Sequence, residues 1–218
     1  MSSAPDASAD SVVTGRAPAV VTRKRPKPGE RRVQILQVLA EMLQQPGAER
    51  VTTAALAARL AVSEAALYRH FASKAQMFEA LIDFIESSVF GLINQIGERE
   101  PAGRARAARI VAMVLQFGEK NPGMARVMVG DALVFEHERL QQRMNQFFDK
   151  LDAALRQSLR DGALADAAEP ATLTPDADAR VRASVLTAFV AGRLQRFARS
   201  GFRRAPSEQL GACIARML

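Results

Sequence analysis

Residues 51–74 read VTTAALAARLAVSEAALYRHFASK, and this stretch decides the fold. Two short helical segments, residues 54–60 and 64–71, are separated by a break at residues 61–63. Helices of about two turns are not stable alone, because helix nucleation is unfavourable and few residues follow it. They must therefore pack on a neighbouring helix. Three helices with a tight turn before the last form a helix-turn-helix, whose last helix enters the major groove of DNA.

The segments on either side supply the remaining parts of this unit. Residues 31–45 are predicted to form the helix on which the two short helices pack, because Val33, Leu36, Ala40 and Leu43 lie on one helical stripe. Pro46-Gly47 ends that helix. On the other side, Ser73 with Gln76 three residues later forms a capping box, which starts a long helix to about residue 96.

The rest of the chain also favours helices and shows no strand pattern. An apolar run at 110–117 precedes the turn Asn121-Pro122-Gly123, and helices are predicted over 131–160, 175–200 and 206–218. Residues 161–178 are small, acidic and contain proline, which is typical of a loop. The sequence therefore predicts an all-α fold.

Three regions follow from this pattern. Residues 1–28 form a tail that we expect to be disordered and basic, residues 29–75 the helix-turn-helix domain, and residues 76–218 a larger helical body. Seven basic residues and one acid lie between Arg16 and Arg32. Such a tail is either a solvated segment or an arm that follows phosphates or enters a minor groove, with Lys27 as its candidate contact.

The helix-turn-helix contains the candidate DNA contacts. Thr52 or Thr53 can cap the second helix and Ser63 the third, and helix N-termini with hydroxyls also suit phosphate. Small residues at the start of the third helix let its backbone approach the bases. The predicted DNA-binding residues are Thr52, Thr53, Ser63, Glu64, Ala65, Ala66, Tyr68, Arg69, His70, Lys74 and, in the tail, Lys27.

Three of these residues allow a second interpretation. Tyr68 is either a half-buried core residue or a phosphate contact, and His70 is either structural or functional. Lys74 lies in the first turn of the next helix, where a cation opposes the helix dipole. A structural reason for that lysine is lacking in the sequence, so a phosphate partner is the better explanation.

Composition agrees with a nucleic-acid partner. The chain has 30 basic and 23 acidic residues, a net charge of +7, although ordinary solubilising charge is the simpler alternative. A single cysteine, Cys213, excludes an intrachain disulfide, and no apolar stretch is long enough to span a bilayer. We expect a cytoplasmic protein with no membrane partner and no cofactor.

The segment TTAALAARLAVSEAALYRHFASKAQMF closely resembles the DNA-binding signature of the TetR family. This resemblance implies a helix-turn-helix in the first helices and a larger helical body that forms a homodimer. In the helix at 175–200, the small residues Ser184, Ala188 and Gly192 recur every four positions. These small residues allow close packing either of another helix of the same chain or of a second copy across a two-fold dimer interface. The apolar residues around them are Leu186, Phe189, Val190, Leu194 and Phe197.

The resemblance extends into the body. The segments FGEKNPGMARVM and ALVFEHERLQQRMNQFFDKL are similar to those of nucleoid occlusion factors, a branch of that family, over about residues 30–204. This resemblance implies a protein that, when bound to chromosomal DNA, inhibits assembly of the division protein FtsZ and blocks division over the nucleoid. Phe84, Lys120 and Met124 match the partner groove of that branch, although Phe84 is otherwise a peripheral core residue. The longer tail and the loop at 161–178 depart from the pattern.

Two other classes of function compete with this one. A TetR-type repressor released by a small ligand needs a sizeable pocket between the helices at 74–96 and 175–200. An enzyme is the third class, but the two histidines, His70 and His137, are far apart, and no phosphate loop or metal-ligand spacing is present. We therefore expect no catalytic activity and no metal site, and a surface or structural role for His137.

Overall fold

A computed structural model describes residues 29–45, 50–163 and 174–218. Throughout these ranges the secondary structure is helical, without a strand, which confirms the all-α fold. The helices are α1 Glu30–Leu43, α2 Thr53–Arg59, α3 Glu64–Tyr68, α4 Lys74–Arg99, α5 Gly103–Lys120, α6 Pro122–Met128, α7 Glu138–Ala163, α8 Pro175–Arg199 and α9 Leu210–Met217. The predicted tail with Lys27, the Pro46-Gly47 turn and most of the acidic loop lie outside the described residues.

Helices α1 to α3 pack as the helix-turn-helix that the sequence predicts. Leu39 of α1, Leu56 of α2 and Leu67 of α3 are each about 1% exposed. Between α2 and α3 the chain reverses at Ala61, whose φ of 53° lies in the left-handed region. The Val62 amide donates to the Ala57 carbonyl at 3.0 Å and closes this turn.

Helix α4 connects the helix-turn-helix to the body. It begins where predicted, because the Ser73 hydroxyl accepts a hydrogen bond from the Gln76 amide at 3.2 Å. The other half of the expected capping box differs, since the Gln76 side chain accepts from the Ala72 amide at 2.9 Å. One apolar stripe along α4 is buried in the core and comprises Phe78, Leu81, Ile82, Ile85 and Val89.

The body departs from the predicted helix pattern around α6 and at the start of α7. Asn121-Pro122-Gly123 does end α5, but Pro122 occupies the first turn of α6, where a missing amide hydrogen costs nothing. The helix predicted from residue 131 begins only at Glu138. Gly130, at φ 81°, leads into a 3₁₀ turn over Asp131–Leu133. The exposed His137 accepts a hydrogen bond from the Arg139 amide at the start of α7.

The last helix also begins later than predicted. It starts at Leu210, not at Pro206, after Gln209 in the left-handed region. The Arg193 guanidinium donates to the Glu208 carbonyl at 2.9 Å, which ties the preceding turn to α8. The tertiary contact therefore fixes a turn where the sequence pattern favoured helix.

Helix α6 docks the body against the helix-turn-helix. A Cβ placed on Gly123 would lie 2.0 Å from the Ala40 carbonyl oxygen of α1, so only glycine allows this approach. Nearby, the Arg126 guanidinium donates to the Leu43 carbonyl at 3.3 Å, which gives a backbone carbonyl at the end of α1 a hydrogen-bond partner. The position of the DNA-binding unit is thereby set by α6 as well as by α4.

The core of the body is apolar. Among the described residues, Ser158 is the buried polar one, and its hydroxyl donates to the Ala154 carbonyl. A surface cleft of about 450 Å³ lies between the 3₁₀ turn and the start of α7, and another of about 300 Å³ lies along α7. Neither is the pocket between α4 and α8 that a ligand-released repressor requires. No helix in the described ranges is long and apolar enough to cross a membrane.

Candidate functional site

Hydroxyl caps fix both short helices of the helix-turn-helix. The Thr52 hydroxyl accepts from the Ala55 amide at 3.2 Å, and the Ser63 hydroxyl accepts from the Ala66 amide at 3.3 Å. Of the two threonines proposed as the cap of α2, the structure therefore selects Thr52. These caps hold the start of each helix at the surface that a helix-turn-helix turns toward DNA.

The recognition helix α3 has one buried and one exposed side. Leu67 is buried, as is Phe71 just beyond the helix, so both face inward. The exposed side carries Glu64, Ala65, Tyr68 and Arg69, while Ala66 and His70 are half-buried. Tyr68 is 45% exposed, so its phenol is free to meet a partner.

Thr53, which is not the cap, has a different contact. Its hydroxyl donates to the Oε2 atom of Glu64 at 2.6 Å and so joins the start of α2 to the start of α3. Both side chains were predicted as separate DNA contacts. The structure brings them together as one hydrogen-bonded pair at the exposed edge of the recognition helix.

Lys74 has a structural partner, so the premise that it lacks one was wrong. Its ammonium group forms an ion pair with Glu136, from the segment before α7, and lies 5.7 Å from the centre of the Phe78 ring. The lysine side chain is 24% exposed and the glutamate 9%. Glu136 offsets the unfavourable position of a cation at a helix start. A phosphate contact by Lys74 remains a prediction.

Arg32 also belongs to this site. In the sequence it stands out only as part of the basic cluster between Arg16 and Arg32. Its guanidinium donates to the His70 carbonyl and lies 4.2 Å from the centre of the Phe71 ring. Arg32, on α1, therefore donates a hydrogen bond to a backbone carbonyl just beyond the end of the recognition helix and packs on the adjacent aromatic ring. A signal was present in the sequence, since Arg32 lies on the helix predicted to receive α3.

The surface proposed for a protein partner centres on Phe84, whose side chain is 50% exposed. Its neighbours Asp83 and Glu86 bind Arg143 of α7 at 2.8 and 2.6 Å. Burial alone would lower the pKa of Arg143, but its hydrogen bonds to these carboxylates raise that pKa above the ordinary value. Successive helical residues turn by about 100°, so Phe84 points away from α7. The interpretation of Phe84 as a core residue is therefore wrong.

The other two candidates for this surface lie at the end of α5 and the start of α6. Lys120 is exposed in the last turn of α5. Met124 is partly buried against the core. Helix α5 packs on α4 after a short turn, so its end returns toward the helix-turn-helix.

A stripe of small residues on α8 lies at the surface of the chain. Ser184 and Ala188 are exposed, and a Cβ placed on Gly192 would meet nothing within 4 Å. Packing within the chain therefore does not explain this stripe. The apolar residues beside it are Val181 and Val185, which are 53% and 47% exposed. Most of those predicted for this role are instead buried in the chain's own core, namely Leu186, Val190, Leu194 and Phe197.

Known proteins match both halves of this architecture. Residues 35–81 match the family model of bacterial regulatory proteins of the tetR family, and residues 103–215 match the SlmA-like model described as a tetracyclin repressor-like C-terminal domain. The nucleoid occlusion factor SlmA of Cronobacter sakazakii is 48% identical over 183 residues, which cover 84% of this chain and 90% of the relative. The chain belongs to the SlmA family. The protein of that name from Idiomarina loihiensis is 44% identical over 182 residues, with the same coverage.

The wider fold family is TetR. The transcriptional regulator FadR of Bacillus subtilis, solved with stearoyl-CoA, superposes with a TM-score of 0.65 at 13% identity, covering 85% of this chain and 96% of its own. The TetR-family regulator PfmR of Thermus thermophilus also gives 0.65, at 18% identity, covering 85% and 94%. At such identities these neighbours show the fold alone. Both levels of the predicted resemblance, TetR and nucleoid occlusion factor, are confirmed.

Proposed function

We propose that this SlmA-family chain binds specific sites on chromosomal DNA as a homodimer and, when bound, inhibits the assembly of FtsZ. Division is then blocked over the nucleoid, and the protein acts in the cytoplasm in association with that DNA. The observation that carries the proposal is the 48% identity to a nucleoid occlusion factor over 183 residues, which spans the body as well as the helix-turn-helix. A repressor that shared only DNA binding would share mainly the first helices.

The DNA-binding part of the proposal rests on the exposed face of α3. Tyr68 and Arg69 lie there and are suited to phosphate, and the small side chain of Ala65 lets the helix approach base edges. The caps at Thr52 and Ser63 fix the positions of both helix starts. A net charge of +7 adds a general attraction to the phosphate backbone.

The partner-binding part rests on Phe84. Half of this large aromatic side chain is in solvent, and exposed aromatic residues of this kind anchor protein partners. Lys120 is exposed at the end of α5, and Met124 lies in the first turn of α6. We include both in the proposed FtsZ-binding surface.

The experiment is sedimentation of FtsZ polymers with the full chain, with and without DNA carrying a site selected by the protein. The expected result is loss of polymer only when both are present. Phe84→Ala should abolish that loss while leaving DNA affinity unchanged. The matched control is Phe135→Ala, which removes the same ring from another exposed position and should behave as the wild type. Unchanged FtsZ polymer with the wild-type chain and its DNA would refute the proposal.

A further inference from the structure

The segment that forms α2 and α3 contains a single acidic residue in a basic surrounding. Residues 50–74 include Arg50, Arg59, Arg69 and Lys74, and Glu64 is the one carboxylate among them. It is exposed at the first position of the recognition helix. A carboxylate on a surface that approaches phosphates is repelled by them. Within the chain the helix dipole favours a carboxylate at the start of α3. Close to DNA, a hydrogen-bond donor on a base edge would offset the repulsion from the phosphates.

The Glu64 carboxylate is held with one oxygen available. Thr53 donates its hydroxyl hydrogen to Oε2 at 2.6 Å. The Oε1 atom has no hydrogen-bond partner within residues 29–45, 50–163 and 174–218. The pair is formed between α2 and α3, so the carboxylate is fixed relative to both helices. A fixed acceptor loses less side-chain entropy on binding than a freely rotating one.

The position of Glu64 suits a base contact. Glu64 and Tyr68 are four residues apart on α3, so they are neighbours on the helix surface, and both are exposed. In helix-turn-helix proteins the first residues of the recognition helix are the ones that contact base edges.

We propose that Glu64 selects a cytosine in each DNA half-site by accepting a hydrogen bond from its N4 amino group, and that Thr53 is a positioning residue for that carboxylate. Cytosine presents a donor in the major groove, whereas guanine presents two acceptors and thymine one, all of which repel a carboxylate. Adenine has an amino group, but its N7 acceptor lies beside it. The inference rests on the sequence-specific DNA binding proposed above and is independent of FtsZ.

The test is selection of binding sites from a random double-stranded library by the full-length wild type, Glu64→Ala and Glu64→Gln. Anisotropy titrations on the selected site and on its single-base variants then follow. In the wild type, replacing the selected cytosine should weaken binding about tenfold or more. In Glu64→Ala the same replacement should matter less than about threefold, with preferences elsewhere in the site unchanged. Glu64→Gln should shift the preference to adenine, because glutamine pairs with the N6 and N7 atoms of that base.

Thr53 is tested by a pair of variants that separate positioning from phosphate binding. Thr53→Val keeps the shape but removes the donor, so the cytosine preference should fall while affinity for other sequences stays constant. Thr53→Ser keeps a hydroxyl and should restore the preference. Neither variant removes the cap of α2, which Thr52 provides. If Thr53→Val instead weakens binding equally for all sequences, Thr53 is a phosphate contact and its assigned role is wrong.

A Glu64→Ala chain that selects the same sites as the wild type overturns the assignment of Glu64 and leaves sequence-specific binding intact. A wild-type chain that selects no sequence overturns both the assignment and the DNA-binding part of the proposed function.

Discussion

At the scale of single residues, Lys74 has one observed role, in an ion pair, and one proposed role, as a phosphate contact, and the two can be separated. It is ion-paired with Glu136, and it lies directly after the helix-turn-helix. Lys74→Ala should lower the free energy of unfolding by about 1–3 kcal/mol, because the nearly buried Glu136 carboxylate loses its cation. The same change should weaken DNA binding about equally for all sequences and reduce the salt slope by about one. Urea denaturation and anisotropy titrations over a range of salt measure the two effects.

Glu136→Gln is the matched control for that prediction. It removes the ion pair with almost no change in shape and leaves the lysine charge in place. We expect a comparable loss of stability with an unchanged salt slope and equal or tighter DNA binding. If the salt slope of Lys74→Ala matches that of the wild type, Lys74 is structural alone.

The site residues show which contacts a sequence can reveal. The caps at Thr52 and Ser63 were predictable, because a cap is made within three residues of the chain. The Lys74–Glu136 pair joins residues 62 positions apart, and no local pattern encodes it. The Thr53–Glu64 hydrogen bond spans 11 positions and depends on the angle between two helices. Residue types identified the surface, but pairings across elements required the structure.

At the scale of helices, the contact between α1 and α6 determines how the body holds the DNA-binding unit. Gly123→Ala should lower the free energy of unfolding by at least about 2 kcal/mol, because its Cβ would meet the backbone carbonyl of Ala40 and not a flexible side chain. DNA affinity should fall as well, since displacement of α1 disturbs the packing of α3. Urea denaturation at fixed protein concentration and titration with DNA measure the two quantities.

Gly91→Ala provides the comparison, because it is the same substitution in a long helix. A Cβ at Gly91 would meet nothing within 4 Å, so the change should stabilise the chain by about 0.5–1 kcal/mol. Its DNA affinity should match that of the wild type. Equal stability changes at the two glycines would contradict the close α1–α6 contact.

Most helices were predictable from the sequence, but α6 and several helix boundaries were not. Leu140, Met144, Phe147 and Leu151 form a stripe that predicted α7 correctly, and all four are buried. The stripe did not show where the helix starts. Residues 131–137 are equally rich in apolar side chains, yet Val134 and Phe135 are 69% and 64% exposed. Gly130 and the His137 cap, both matters of local geometry, decide that boundary.

At the scale of the whole molecule, we expect the exposed stripe on α8 to form the dimer interface that lets two recognition helices act together. Ala188→Arg should convert the proposed dimer to a folded monomer, because Ala188 is exposed within the chain and a charged side chain would prevent the close approach of a second α8. Apparent affinity for a two-half-site DNA should then fall about 100-fold or more, since each half binds alone. Analytical ultracentrifugation and anisotropy titration measure both. Gln95→Arg adds the same charge on the exposed surface of α4 and should remain dimeric. If Ala188→Arg stays a dimer with full DNA affinity, the two-fold seam lies elsewhere on the body.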